Sequence, residues 1–216
     1  MYLTWDNQKL TNFSPQEITN AYNQGYVFGR TEKGEMFQTR SVRIDVKNDF
    51  SLNSENRRIL RKTEELEFSA LSLPDPTYDW TIGKLAKDFY DTKFGKGTFS
   101  ANKAKILFTD EKNSNFNTQL VFRLNGKIIG YALCYENDEI LHYSYPFYDL
   151  QVAKDNKNIG MGMMVRSVQY AAETGKRYLY LGSAQRPGDT YKFQFNNMEW
   201  FDGKVWTDDV EELKKK

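Results

Sequence analysis

The stretch KNIGMGMMVRSVQYAAETGKRYLYLG, residues 157–182, constrains the fold more than any other part of the chain. Met164, Val168 and Ala171 or Ala172 recur at helical spacing from about Gly160 to Glu173, Gly175 supplies the stop, and RYLYLG follows as a short apolar run. A helix delivered directly into a buried strand belongs to an α/β order and excludes an all-β one. At the head of that helix, Gly160 and Gly162 let backbone N–H groups face outward where the helix dipole is positive. KNIGMG is therefore either a cradle for an anion such as a pyrophosphate or only the turn that starts a helix.

Upstream, NTQLVFRL and KIIGYALCYE flank Asn125-Gly126, which predicts an antiparallel hairpin, and EILHYSYPFYDL reads as a third strand. SPQEITNAYNQGY (14–26) has Ser14 as N-cap, Pro15 at the first helical position, Glu17 three residues after the cap and Gly25 as a stop, so it is a short helix. QTRSVRIDV (38–46) alternates with Val42, Ile44 and Val46 on one face, as a half-buried strand does. SLNSENRRILRKTEELEF (51–68) reads as a helix with Arg57, Arg58, Arg61 and Lys62 on one side. That side is either a solvated face balanced by Glu64, Glu65 and Glu67 or a phosphate-binding patch. LSLPDPTYDW marks a junction near residues 71–79, and TIGKLAKDFYDTKF (81–94) resumes helical periodicity.

Charge narrows the partners. Thirty basic against twenty-nine acidic residues leave +1, so any nucleic-acid binding must use a local patch rather than a global field. A single cysteine, Cys134, excludes an internal disulfide framework, and no Cys or His run has metal-ligand spacing, so no metal site is expected. No segment approaches the roughly 20 apolar residues that a bilayer span needs, and the N-terminus lacks a leader pattern; a soluble cytoplasmic protein without a membrane partner is expected.

Lys157, Gly160 and Gly162 have the offsets of the Q/R-x-x-G-x-G/A turn of the GNAT acyltransferases, and the surrounding strand, turn, helix and strand resemble that superfamily. Four further stretches resemble the aminoacyl-tRNA–protein transferases, the arginyl- and leucyl-transferases of the N-degron pathway, whose catalytic domain is GNAT-like. They are GYVFGR with RIDVKNDFSLNSENRRILRK, in which Asn56, Arg57 and Arg58 stand for the family's Gln/Arg/Arg-like triplet; SYPFYD; NIGMGMMVRSVQYAAETGKRYLYLG; and TYKFQFNNMEWFDGKVW. Their order is kept from about residue 21 to residue 206. Two departures stand out: Met36 and Thr39 occupy positions where the family carries its N-terminal cluster-binding cysteines, and Ser183 replaces the tyrosine after YLG.

The resemblance implies an α/β (α+β) fold with a GNAT-like mixed, mostly antiparallel sheet flanked by helices. It suggests a small N-terminal domain with the basic helix (1–72) and a GNAT-like catalytic domain (73–216). It also implies transfer of an amino acid, Arg favoured over Leu, from aminoacyl-tRNA to the α-amine of proteins beginning with acidic residues, with the tRNA as co-substrate and no resident cofactor. In this reading Arg57, Arg58, Arg61, Lys62, Lys157, Asn158, Gly160 and Gly162 hold the tRNA. Arg30, Arg43 and Lys192 are the cations for the acidic acceptor, with Lys192 favoured by its Tyr191-Lys192 context. Tyr145, Tyr148 and Tyr180 line the pocket or the core, and Asp149 orients the amine or caps a turn. His142, the only histidine, is a general base by its ordinary pKa or a structural residue on an apolar strand, and Cys134 is core. Two alternatives remain: an N-acyltransferase using acetyl-CoA, and a non-catalytic relative that binds tRNA or acidic N-termini. A monomer is expected.

Overall fold

The computed structural model describes residues 3–215. In chain order the elements are β1 (Asp6–Lys9), α1 (Pro15–Asn23), β2 (Tyr26–Phe28), β3 (Glu35–Gln38), β4 (Ser41–Asp45), α2 (Ser54–Lys62), β5 (Leu66–Ser72), α3 (Trp80–Phe94) and α4 (Ala101–Thr109). There follow β6 (Thr118–Leu124), β7 (Lys127–Glu136), β8 (Ile140–Tyr148), α5 (Val152–Asp155), α6 (Ile159–Glu173), β9 (Tyr178–Ser183), a 3-10 helix (Pro187–Phe193), β10 (Met198–Phe201), β11 (Trp206–Thr207) and α7 (Val210–Leu213). The residues group into two compact units. The first holds the chain through Arg57, Glu136–His142 and the chain from Val168 on; the second holds Arg58–Tyr135 and Tyr143–Ser167.

In the first unit, β1, β3 and β2 form a small antiparallel sheet. β4 lies between β10 and β9, antiparallel to both, and β9 runs parallel to the start of β8 from Ile140↔Tyr178 to His142↔Tyr180. This placement corrects the reading of β4 as half-buried: Ser41, Val42, Arg43 and Ile44 are all buried, because neighbours cover both edges and both faces are packed. Tyr22, Ile44, Leu179, Tyr180 and Trp200 form the centre of this unit's core.

The second unit is built on β5, β6 and β7, an antiparallel meander in which β5 and β6 pair without a break from Leu66↔Leu124 to Ser72↔Thr118, while the β6–β7 ladder shifts register between Phe122 and Arg123. The Asn125-Gly126 turn is as expected: both residues have positive φ, 52° and 73°, the geometry that joins twisted strands in a two-residue loop. The helix expected over 51–68 ends at Lys62, and the chain from Leu66 enters β5 instead. The mostly antiparallel sheet has the strand order β11-β10-β4-β9-β8-β7-β6-β5. Helices α3 and α4, capped by Asp79 and Ser100, bury Ile82, Ala86, Phe89, Leu107 and Phe108. The sequence reading did not anticipate α4. Among the described residues no helix is long and apolar enough to cross a membrane.

Candidate functional site

In the second unit the structure brings the expected tRNA-facing residues of two separate stretches together. Arg61 and Lys62 end α2, and with Thr63 they line a surface pocket whose other side includes Asn156 and Ile159 at the entry to α6. Both basic side chains are exposed, and the local field is tempered by Glu64 and Glu65 on the same rim. Lys157 is exposed beside this entry and Asn158 is half-buried.

Gly160 and Gly162 lie within the first turns of α6, and the Gly162 N–H is spent on the Asn158 carbonyl at 2.7 Å. Both have a packing reason to be glycine. A Cβ at Gly160 would sit 2.8 Å from the Tyr148 hydroxyl, and one at Gly162 would sit 2.7 Å from Thr63 Oγ1. The glycines therefore let α6 approach Tyr148 and the end of α2 closely. Thr63, which sequence reasoning missed, is held rigidly: its hydroxyl donates to the Ile59 carbonyl at 2.9 Å, and Arg166 Nη2 donates to the Thr63 carbonyl at 2.7 Å.

Tyr148 ends β8 half-buried against Phe89, ring centroids 4.8 Å apart, and burial raises its hydroxyl pKa above the usual tyrosine value. The Asp149 carboxylate accepts from the Gln151 N–H at 2.7 Å, so it caps the turn into α5. Tyr145 packs between Phe99 and Phe116. Cys134 is buried, forms no disulfide, and its thiol donates to the Ala132 carbonyl at 3.7 Å.

Arg58, on α2 in the second unit, is half-buried; the remaining expected residues lie in the first unit. Arg57 is exposed and its guanidinium donates to the Leu52 carbonyl, whereas Asn56 is fully buried with neither amide atom hydrogen-bonded. Arg30 is half-buried and Tyr191 exposed. Arg43 is interior: it donates to Glu199 Oε2 at 2.7 Å, and its guanidinium lies 3.8 Å from the Tyr178 ring centre and 4.1 Å from that of Trp206. Tyr180 is fully buried, within 3.4 Å of Arg43 Nη1 and of Asn23 Oδ1, and burial pushes its hydroxyl up to about 12. That hydroxyl stays protonated at neutral pH.

Lys192 is not a surface lysine. It is 8% exposed, donates to the Ser183 carbonyl at 2.6 Å, and burial lowers its pKa to about 8. The nearby Asp189 charge opposes that shift and the Arg186 charge adds to it; the Asp189 carboxylate accepts from the Gln185 and Arg186 N–H groups. His142 is likewise interior. Its Nδ1 lies 2.8 Å from the Tyr22 hydroxyl, and burial, with help from the Lys192 charge, drives its pKa down to about 3. Sequence reasoning had no signal for Tyr22 or Glu199 as partners, because each pairing joins residues more than a hundred positions apart.

A family described as "Arginine-tRNA-protein transferase, C terminus" matches residues 84–202, more than half of the chain. Aspartate/glutamate leucyltransferase of Chromohalobacter salexigens is 25% identical over 171 residues, covering 77% of this chain and 67% of that protein. Among solved structures, L-PGS from Bacillus licheniformis is similar in fold, with a TM-score of 0.51 and 14% identity over 89% of this chain and 62% of that one. A GCN5-related glucosamine N-acetyltransferase region of a fungal GH3 β-N-acetylglucosaminidase is similar too, with a TM-score of 0.50 and 10% identity over 89% of this chain and 22% of that one. This chain thus spans less than two thirds of either structure, and the likeness to both is one of fold, a GNAT-like mixed sheet with flanking helices. With more than half of its length matched, the chain belongs to the arginine-tRNA-protein transferase family.

Proposed function

We propose that the protein transfers an arginyl or leucyl group from aminoacyl-tRNA to the N-terminal α-amine of proteins that begin with Asp or Glu. Family membership supports the transferase class, and the name of the Chromohalobacter protein supports leucyl as donor and Asp or Glu as acceptor. The observation that carries the reading is the shared pocket at the head of α6, where exposed Arg61 and Lys62 offer two cations to a phosphate backbone in a chain of nearly zero net charge.

The chemistry asks little of a base. A free α-amine has a pKa near 8 and is partly neutral at cellular pH, so positioning it against the ester carbonyl is the larger task. The amine nitrogen bonds to the carbonyl carbon, the bond to the ribose oxygen breaks, and a proton passes from the ammonium to that oxygen. This accounts for a site without a Ser/His/Asp or Cys/His triad. A tRNA donor fits a cytoplasmic protein.

The test is incorporation of label from arginyl- or leucyl-tRNA into a protein acceptor with an N-terminal Glu, with acetyl-CoA as a parallel donor. Label entering the acceptor from either tRNA supports the reading; acetyl transfer alone, or no transfer, rejects it.

A further inference from the structure

The turn that joins α3 to α4 departs from the charge balance of the rest of the chain. From Thr92 to Thr109 there is no Asp or Glu, while Lys93, Lys96, Lys103 and Lys105 put four positive charges on this stretch of a protein whose net charge is +1. Earlier on α3 the lysines are spent on neighbours, Lys84 on Asp88 and Lys87 on Asp91. Lys93 and Lys96 are exposed, and among the described residues neither forms an ion pair. The Lys96 charge is felt at Asp91, but that carboxylate already accepts from Lys87 Nζ at 2.7 Å and from the Gly97 N–H at 2.9 Å.

Between the two lysines stands Phe94. It is 45% exposed, whereas all but one of the other fourteen phenylalanines are buried or half-buried. Its ring rests on Phe89 and Tyr90, with centroids 6.3 and 5.4 Å away, so it is braced from the protein side while nearly half of the residue faces water. The turn around it is both held and open. Gly95 and Gly97 have φ +99° and +81°, and the Thr98 hydroxyl donates to the Gly95 carbonyl at 2.7 Å. A side chain at either glycine would meet no atom within 4 Å, so a sugar or phosphate can reach the backbone beside Phe94.

Ring contacts tie this turn to the head of α6. Phe89 packs on Tyr148, centroids 4.8 Å apart, and the Tyr148 hydroxyl is the atom that Gly160 admits. Two contacts thus lead from Phe94 to the residue against which α6 begins, within the unit that holds Arg61 and Lys62.

We infer that the α3–α4 turn is a second tRNA contact, in which Phe94 stacks on an unpaired base of the 3′ end and Lys93 and Lys96 hold the adjoining phosphates. The inference rests on the transferase reading for the identity of the RNA. A braced ring between cations is a stacking platform for a splayed base, and bases inside a duplex are closed to it, which selects the single-stranded end over the acceptor stem.

The experiment is fluorescence anisotropy of the full chain with deacylated tRNA and with the same tRNA trimmed of its unpaired 3′ nucleotides, alongside co-sedimentation with phosphatidylglycerol vesicles. Phe94→Ala should weaken binding of the intact tRNA about tenfold at fixed salt and leave the slope of log affinity against log salt unchanged, because stacking releases no counterions. Phe94→Leu, which keeps an apolar contact with Phe89 and Tyr90, should lose as much; a residue that only packs would be rescued by it. Both variants should match the wild type on trimmed tRNA. Lys93→Ala with Lys96→Ala should reduce the slope by about 1.4, roughly 0.7 for each single-strand phosphate. Undiminished tRNA affinity in the Phe94 variants, an equal loss on intact and trimmed tRNA, or Phe94-dependent binding to vesicles but not to tRNA overturns the assignment. Aminoacyl transfer is scored separately: tRNA held through Phe94 without transfer keeps this surface and loses the transferase reading, and transfer at subsaturating tRNA that is indifferent to Phe94 does the reverse.

Discussion

Gly162 of α6 lies so close to Thr63, just past the end of α2, that a single added Cβ would stand 2.7 Å from the threonine hydroxyl and 2.9 Å from its methyl group. Thr63 has little room to yield, because it is β-branched and its hydroxyl is hydrogen-bonded to the Ile59 carbonyl. Gly→Ala in an open helix gains about 1 kcal/mol from propensity, whereas overpacking a tight contact costs roughly 1–3 kcal/mol. Gly162→Ala is therefore expected to destabilise the protein by about 1 kcal/mol in urea denaturation. In a Thr63→Ala background the same change should cost at least about 1 kcal/mol less. Strict additivity of the two changes would remove the contact from the account.

The pocket at the head of α6 makes a prediction about salt. Replacing Arg61 and Lys62 together by Ala should weaken tRNA binding and reduce the slope of log affinity against log salt by about 1.8, since each lost phosphate contact removes roughly 0.9. An unchanged slope would mean that neither side chain meets the tRNA backbone.

Arg43 is expected to act on stability instead. Its guanidinium is 8% exposed, while the Glu199 carboxylate that receives it is 31% exposed and can rehydrate when the partner is gone. Arg43→Met should cost less than the roughly 3–5 kcal/mol of stranding a fully buried charge, and about 1–2 kcal/mol is expected. Equilibrium unfolding measures it. A fully stable Arg43→Met protein with lost peptide affinity would instead make Arg43 a substrate ligand.

How far this could be read from the sequence depended on how local each signal was. The Asn125-Gly126 hairpin, the Ser14 cap and the run from α6 into β9 are written in neighbouring residues, and their geometry followed. β5 was hidden because Glu64, Glu65 and Glu67 prolonged the look of a charged helix, and only its ladder with β6 makes it a strand. The basic residues at 61 and 62 were legible, but their meeting with Asn156 and Ile159 was not. The same holds for the interior. A lone Lys192 or His142 reads as a surface cation or a strand residue until Ser183 and Tyr22 are brought beside them by the fold. The packing role of Gly160 and Gly162 was equally invisible, since a glycine pair that admits a neighbouring side chain looks the same in sequence as one that admits a phosphate.

Acid sensitivity follows from His142. Its pKa is about 3 in the folded protein against an ordinary value near 6.5, so between those pH values the unfolded chain binds a proton that the folded chain does not. Stability is then unaffected above about pH 6.5 and falls as pH drops below it, by about 1.4 kcal/mol per unit, until the folded imidazole also titrates. Chemical denaturation at pH 7, 6 and 5 should show this slope in the wild type in excess of His142→Gln, with the carboxylates common to both. Parallel pH curves for the two proteins would show that His142 does not titrate as a buried group.

The central claim is transfer of an aminoacyl group to an α-amine, and the most direct measurement is mass spectrometry of a Glu-initiated peptide after incubation with the purified protein and arginyl- or leucyl-tRNA. The account predicts a mass gain of one arginyl or one leucyl residue, located on the N-terminal nitrogen by fragmentation and blocked when that amine is acetylated beforehand. A peptide of unchanged mass with both donors, while the tRNA esters stay intact, would contradict it.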